Sequence, residues 1–278
     1  MTTLVAWAAA DKAGHTAIYL ASDSKFTWPN LKKWNYGRKL YVTKKAAILF
    51  GYTGDVLFPS IFLGQLVESL ESLNDHPKSA QELADAVVPI LATSLAAYPS
   101  EPGVVSPGFQ ILAVMSIKEG VYFRFQCLIF EKMAGPRTEL LYRILSIPDR
   151  GVFFVGGSGK SSYEKRLYSA SREAGGFFYN DDGIATANSK ASFWALADVV
   201  NNNDDVYTGG PLQMVGAFRN GLMQSFGHMR RGSHYHLGLQ LPKEVAVNLN
   251  VTWHNDRMEV MDPATGELKI GAQKQPRK

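Results

Sequence analysis

One cysteine, Cys127, occurs among 278 residues, so no disulfide can form within the chain. Its place in the alternating stretch GVYFRFQCLIF reads as a buried strand thiol rather than a reactive one. A reducing, cytoplasmic setting is the one this predicts. No run approaches the roughly 18 apolar residues of a membrane span, and no basic segment precedes an apolar one at the N-terminus. Neither a membrane anchor nor a secretory signal is expected. Basic charge is not concentrated either: the net charge of +4 is spread along the chain, and its densest runs, MRRGSH and QKQPRK, lack interleaved aromatics. They read as solvated faces, and nucleic acid is not an expected partner.

A phosphate loop is also missing. The stretch GVFFVGGSGKSS, residues 151–162, contains Gly-Lys-Ser, but a phosphate loop needs a glycine five positions before Gly159, where the backbone must turn its N–H groups toward the phosphates. Phe154 stands there instead. The histidines form no ligand set by spacing. SHYH puts His234 and His236 on one side of a strand, with His228 and His254 nearby, but no cysteine or regularly spaced carboxylate joins them. No metal and no other cofactor is expected.

What the chain does have is apolar residues, 46% of the total against 19% charged, enough for a substantial core. TTLVAWAAAD and HTAIYLASDS flank a DKAG turn and read as a hairpin; RKLYVTK and AAILFGYTG read as a second pair, the four strands forming one antiparallel block. Leu and Ile at three- and four-residue spacing predict helices over 58–74 and about 79–97. A Pro- and Gly-broken loop over 100–107 follows. Strand patterns return in FQILAVMSI, VYFRFQCLIF, LLYRILSI and GVFFVGG, and helical patterns in SSYEKRLYSASREA and SKASFWALADVVNN. Strands, two helices, strands, two helices predict an α+β sandwich, its sheets face to face and its helices outside. The tail from about 236 continues as strands and ends in a polar terminus expected to be loose.

Chemistry starts at the N-terminus. An initiator methionine before a small residue is normally removed, which would leave Thr2 with a free α-amine. Such an amine has a pKa of about 7.7–8.0, so it can take the proton of its own residue's hydroxyl and turn threonine into a nucleophile. An ordinary chain end is the alternative. Asp23, in ASDSK, and Lys39, sixteen residues on in RKLYV, could supply an ammonium to tune that hydroxyl and a carboxylate to hold the ammonium. A surface ion pair is the alternative here. Asp205 and Thr208, in DDVYTGGP, read by themselves as a turn or cap.

In this order and spacing, TTLVA, ASDSK, KLYV, GYTGD, VGGSG and DVYTGG resemble the β subunits of the proteasome and the related two-layer bacterial peptidase, from residue 2 to about 215. The first hairpin is several residues longer than in that family, and sequence is added over 100–145 and after about 215. The resemblance implies a proteasome-type N-terminal-nucleophile hydrolase, a four-layer αββα sandwich of two antiparallel sheets flanked by helices. The hydrolase domain would span 2–215, and 216–278 would be a C-terminal extension of strands packed on it. It implies a threonine-type peptidase in which Thr2 is nucleophile and, through its amine, general base. Lys39 would tune the hydroxyl, Asp23 orient Lys39, and Gly54 offer its N–H to the oxyanion. Asp205 and Thr208 would support the Thr2 amine, joined by the hydroxyl of Ser158, with Gly157 the alternative occupant of that position. Tyr52 would line the pocket for the residue before the cut bond, or pack in the core. Lys39→Ala would abolish the rate with the fold preserved. A homo-oligomeric ring, an ATP-dependent unfoldase partner, and peptide or unfolded-protein substrates follow from the same resemblance. The competing readings are a catalytically silent ring subunit or scaffold and an amidase of small substrates.

Overall fold

A computed structural model describes residues 2–28, 32–99, 108–120, 122–133, 139–173, 178–179, 185–186 and 189–275. The loop expected over 100–107 and the last three residues of the tail lie outside these. The first half contains β1 (Thr3–Asp11), β2 (Gly14–Ser22), β3 (Phe26–Thr27), β4 (Lys33–Trp34), β5 (Leu40–Thr43), β6 (Ile48–Gly54), α1 (Leu57–Glu71) and α2 (Ala80–Ala97). Next come β7 (Phe109–Glu119), β8 (Tyr122–Lys132), β9 (Leu140–Leu145), β10 (Gly151–Gly157) and α3 (Lys160–Glu173). The remainder holds β11 (Phe178–Tyr179), β12 (Ala185–Thr186), α4 (Ser189–Asn201), β13 (Gln213–Phe218), β14 (Met223–Arg230), β15 (Ser233–His236), β16 (Leu239–Leu241), α5 (Lys243–Ala246), β17 (Thr252–His254) and β18 (Val260–Met261).

Two sheets carry the architecture. A nine-stranded sheet runs β10-β1-β2-β13-β14-β15-β16, with β17 pairing β14 and β18 pairing β17, and a five-stranded sheet runs β5-β6-β7-β8-β9. Every pairing is antiparallel except β14 with β17. The four opening strands therefore do not form one block: β1 and β2 lie in one sheet, β5 and β6 in the other. The reason is visible in their composition. Each pair is apolar on both faces, the pattern of strands covered from two sides, and such strands stack as readily as they pair.

β1 shows how one strand serves two cores. Its alternate residues Leu4, Ala6 and Ala8 pack with Ile18, Leu20, Leu49, Leu112, Cys127 and Ile129, between the two sheets. Val5 and Trp7 point the other way, onto Tyr163 and Leu167 of α3 and Phe193 and Leu196 of α4. β6 does the same in the second sheet, with Leu49 facing inward and Ile48, Phe50 and Tyr52 facing Phe62, Leu66, Leu83 and Val87 of α1 and α2. Burying each such large side chain contributes roughly 1.5–3 kcal/mol. α2 starts where Ser79 accepts a hydrogen bond from the Glu82 N–H at 3.1 Å, a side-chain cap for an otherwise unpaired donor.

β13 crosses position 215 and pairs along its length with β2, so the segment beyond 215 begins inside the larger sheet. That segment also contains the helix α5, preceded by Pro242, where the sequence pattern suggested only strands. Trp194 of α4 donates its indole N–H to the Arg257 carbonyl at 2.8 Å, tying the tail to the helical layer.

Cys127 is fully buried between the sheets and unpaired, and burial pushes its thiol well above the ordinary range. The folded protein should resist alkylation by iodoacetamide and add one carbamidomethyl group only in guanidinium. Prompt labelling of the native protein, seen by intact mass, would contradict this placement.

Candidate functional site

The centre of the site is a salt bridge. Lys39 Nζ lies 2.8 Å from Asp23 Oδ1, and neither side chain has any exposed surface. Asp23 follows the last residue of β2, and Lys39 precedes the first residue of β5, so each sits where a strand of one sheet meets the open end of the other. The carboxylate is saturated with donors. Oδ1 also accepts from the Thr3 N–H at 3.0 Å, and Oδ2 accepts from the N–H groups of Lys25 at 3.1 Å and Gly209 at 3.0 Å. Burial pushes the Lys39 ammonium below its usual range, and the Asp23 charge opposes that shift.

A second network adjoins the first. Thr208 donates its hydroxyl to Asp205 Oδ2 at 2.6 Å, and Ser158 donates to the same oxygen at 3.0 Å. Thr3 Oγ1 lies 2.6 Å from Thr208 Oγ1. Because the Thr208 proton is committed to a carboxylate that can only accept, Thr3 is the donor in that contact. Thr3 thus links the networks, its N–H on Asp23 and its hydroxyl on Thr208.

Asp23, Lys39, Ser158, Asp205 and Thr208 are accordingly brought together around the start of β1, where Thr2 is fully buried and its Oγ1 has no hydrogen-bond partner among the described residues. The hydroxyl that Thr208 meets is that of Thr3. Ser158 supplies the side chain that reaches Asp205; Gly157 has a backbone part. It pairs with Thr3 at φ +93°, and a Cβ there would collide with the Thr2 carbonyl. A Cβ on Gly159 would likewise strike the Thr3 hydroxyl. The glycines of VGGSG thus make room for two threonines, and Lys160 opens α3.

Gly54 ends β6 at φ +89°, opposite Phe109, and its neighbour Thr53 lies against Gly156 of β10. Tyr52 is fully buried against α1 and α2 and donates its hydroxyl to the Arg38 carbonyl at 3.1 Å. It is a core residue here. Thr3, Lys25 and Gln213, none of them singled out by a sequence motif, also bond within the site. Lys25 Nζ donates to the Thr208 carbonyl at 3.0 Å, and the Gln213 side chain accepts from the Lys39 N–H at 3.0 Å. The signal for Gln213 is its place as the polar opening of the otherwise apolar run QMVGAF.

The histidines have other partners. His228 Nε2 meets Asp256 Oδ1 at 2.8 Å, His234 Nε2 the Pro263 carbonyl at 2.9 Å, and His236 Nε2 the Ser225 hydroxyl at 2.9 Å. Among the described residues no group of three or more side chains is placed to hold a metal ion.

No family model and no curated protein sequence matches the chain significantly. Solved structures do. Anbu (ancestral beta-subunit) from Yersinia bercovieri superposes with a TM-score of 0.54 at 13% identity, covering 85% of this chain and 87% of that one. An Anbu (Gly-1) mutant from Hyphomicrobium sp. strain MC1 gives 0.50 at 11% identity over the same shares of 85% and 87%. The fold is that of a proteasome-like N-terminal-nucleophile hydrolase. Thiobacillus denitrificans BPH in complex with Epoxomicin also matches, with a TM-score of 0.43 at 16% identity over 78% of this chain and 98% of that chain. In this proteasome-like chain the first strand leads its opening residues directly onto the buried ion pair.

Two stability predictions follow from the geometry. Removing one partner of a buried ion pair costs about 3–5 kcal/mol, so Lys39→Ala should weaken the fold as well as the site. Urea unfolding checks this, and an unchanged midpoint and slope would contradict it. His254 is held down to about 4, by burial first and His228 second, from an ordinary 6.5. The unfolded chain then binds the extra proton between those values, so this contribution is intact above pH 6.5 and lost as pH falls toward 4. Melting curves across that window should show the loss, and His254→Phe should flatten it.

Proposed function

We propose that the protein is a threonine-type peptidase that becomes active when Met1 is removed and Thr2 leads the chain. The observation that carries this reading is the fully buried Lys39–Asp23 pair whose carboxylate oxygen also holds the Thr3 N–H. Enclosing two charges is costly unless their geometry is good and the remaining lone pairs are satisfied, and this pair is fastened one residue from a buried threonine whose hydroxyl has no hydrogen-bond partner among the described residues.

The chemistry then needs little else. The freed α-amine of Thr2 takes the hydroxyl proton, and Oγ1 attacks the carbonyl carbon of a peptide bond. Negative charge develops on the carbonyl oxygen, where Gly54 is proposed as N–H donor; such a donor supplies roughly 2.7–4 kcal/mol in comparable sites. The tetrahedral intermediate expels the amine, which leaves with the proton, and an ester remains on Thr2. Water, deprotonated by the same α-amine, attacks that ester, releases the new carboxylate and restores the hydroxyl. Lys39 stabilises the attacking oxygen as its proton departs, and Asp23 holds the lysine. Ser158, Asp205 and Thr208 fix the start of β1, and with it Thr2, through Thr3.

The four-layer αββα order belongs to this reading, supported by one core between the sheets and one between each sheet and its helix pair. Assembly into a homo-oligomeric ring, delivery of unfolded chains by an ATP-dependent unfoldase, and a cytoplasmic setting are its further parts. A silent subunit or scaffold is the reading to beat. It is favoured by the zero exposure of Thr2.

Intact mass will show whether Met1 is lost. The active reading expects Thr2 at the N-terminus, turnover of a fluorogenic peptide, and loss of that turnover in Thr2→Ala. Its rate should rise with pH as the α-amine, with a pKa of about 7.7–8.0 before any effect of Lys39, gives up its proton. Retained Met1, or full turnover by Thr2→Ala, would overturn it.

A further inference from the structure

Gln213 opens β13 directly opposite Ser22, the last residue of β2. Its side chain is almost wholly enclosed, with 1% exposure. Oε1 accepts from the Lys39 backbone N–H at 3.0 Å, while Nε2 donates to Ser24 Oγ at 2.8 Å and the Gly37 carbonyl at 2.8 Å, with the Asp23 carbonyl at 3.2 Å. The Ser24 hydroxyl donates its own proton to the Pro211 carbonyl at 2.6 Å, so it can only accept from the amide. One amide therefore grips both segments that carry the ion pair, the one running through Asp23 and Ser24 and the one running through Gly37 and Lys39. Neighbours fix which end is oxygen and which is nitrogen, since one contact is a donor and the others are acceptors.

The same place is closed from outside by the turn between β15 and β16. Gly238, at φ +88°, lies so close that a Cβ would stand 2.8 Å from the Gly37 carbonyl, 3.0 Å from Ser24 Oγ and 3.2 Å from Gln213 Nε2. No side chain fits between that turn and the amide. We infer that Gln213 is a positioning residue for the catalytic lysine, and that the backbone at Gly238, deep in the C-terminal segment, seals it from water. The inference rests on the threonine-peptidase reading, in which the placement of Lys39 sets the rate.

An unsubstituted amide is required for this task. Glutamate has the same shape but no hydrogen to give, and it would set an anion against two carbonyl oxygens. That pushes Gly37 and Lys39 away from Asp23, and a displacement on the order of 1 Å at such a site costs about 10²-fold in rate. Protonation of the new carboxyl returns one donor.

The test uses full-length protein whose intact mass shows Thr2 leading, labelled with a peptide epoxyketone and followed by mass. Wild type, Gln213→Glu, Gly238→Ala and Thr2→Ala are compared. For Gln213→Glu the maximal labelling rate should fall about 10²-fold with the half-saturating inhibitor concentration unchanged, and the ratio to wild type should shrink as pH is lowered. Gly238→Ala should lose rate with the same split, by a smaller factor. A full rate in folded Gln213→Glu, a loss confined to inhibitor affinity, or a pH-independent loss matching the fraction unfolded would overturn the inference. So would failure of both variants to fold, which makes the amide a fold determinant only. The parent reading fails separately, if wild type takes no adduct or Thr2→Ala takes one.

Discussion

A single ion pair without solvent organises this molecule. Lys39 and Asp23 come from different sheets, and the desolvation of both charges is tolerable only because every lone pair of the carboxylate facing the protein has a donor. Those donors come from separate parts of the chain, Thr3 from the first strand and Gly209 from the loop after α4, while β13 gives the side-chain oxygen that accepts from the lysine backbone. The sandwich is in this sense the scaffold that keeps two charges in place. Its cores orient strands whose ends, rather than whose faces, carry the polar groups.

Much of this was legible before any coordinates. The helices over 58–74 and 79–97 are where periodicity put them, to within a few residues, because their apolar stripes match the 3.6-residue repeat and Ser79 announces the second. The glycines of VGGSG and the DVYTGG run were recognisable by order and spacing. Strand pairing was less so. Period-two patterns tell which side of a strand is buried but not which strand lies beside it, and β1, β2, β5 and β6 are buried on both sides. β13 and β14 were hard to see as well, since QMVGAF and MQSFGHMR interrupt their apolar residues with glycine and polar side chains that turn out to serve the site or its surroundings.

The site divides the same way. Asp23 and Lys39 stood out as chemistry, but their complete burial could not be read from ASDSK or RKLYV, where flanking residues are polar. No motif in the sequence singles out Thr3 beside Thr2. In the fold it is the joint between the ion pair and the Asp205 cluster, a role set by contacts across 20 and 205 positions of sequence. Tyr52 lost its suggested place in a substrate pocket because its strand turns that residue toward the helices α1 and α2.

The span of those contacts has a consequence during synthesis. The Gly209 N–H reaches Asp23 across 186 positions, and the Lys39 N–H reaches the Gln213 side-chain oxygen across 174. A ribosome delivers Asp23 and Lys39 well before these partners, which lie more than 170 positions further along the chain. Until then Asp23 and Lys39 lack the partners that hold them, and the buried network can close only around a polypeptide grown past position 213. Sequence order itself thus delays the moment at which the buried ion pair can acquire its full set of partners.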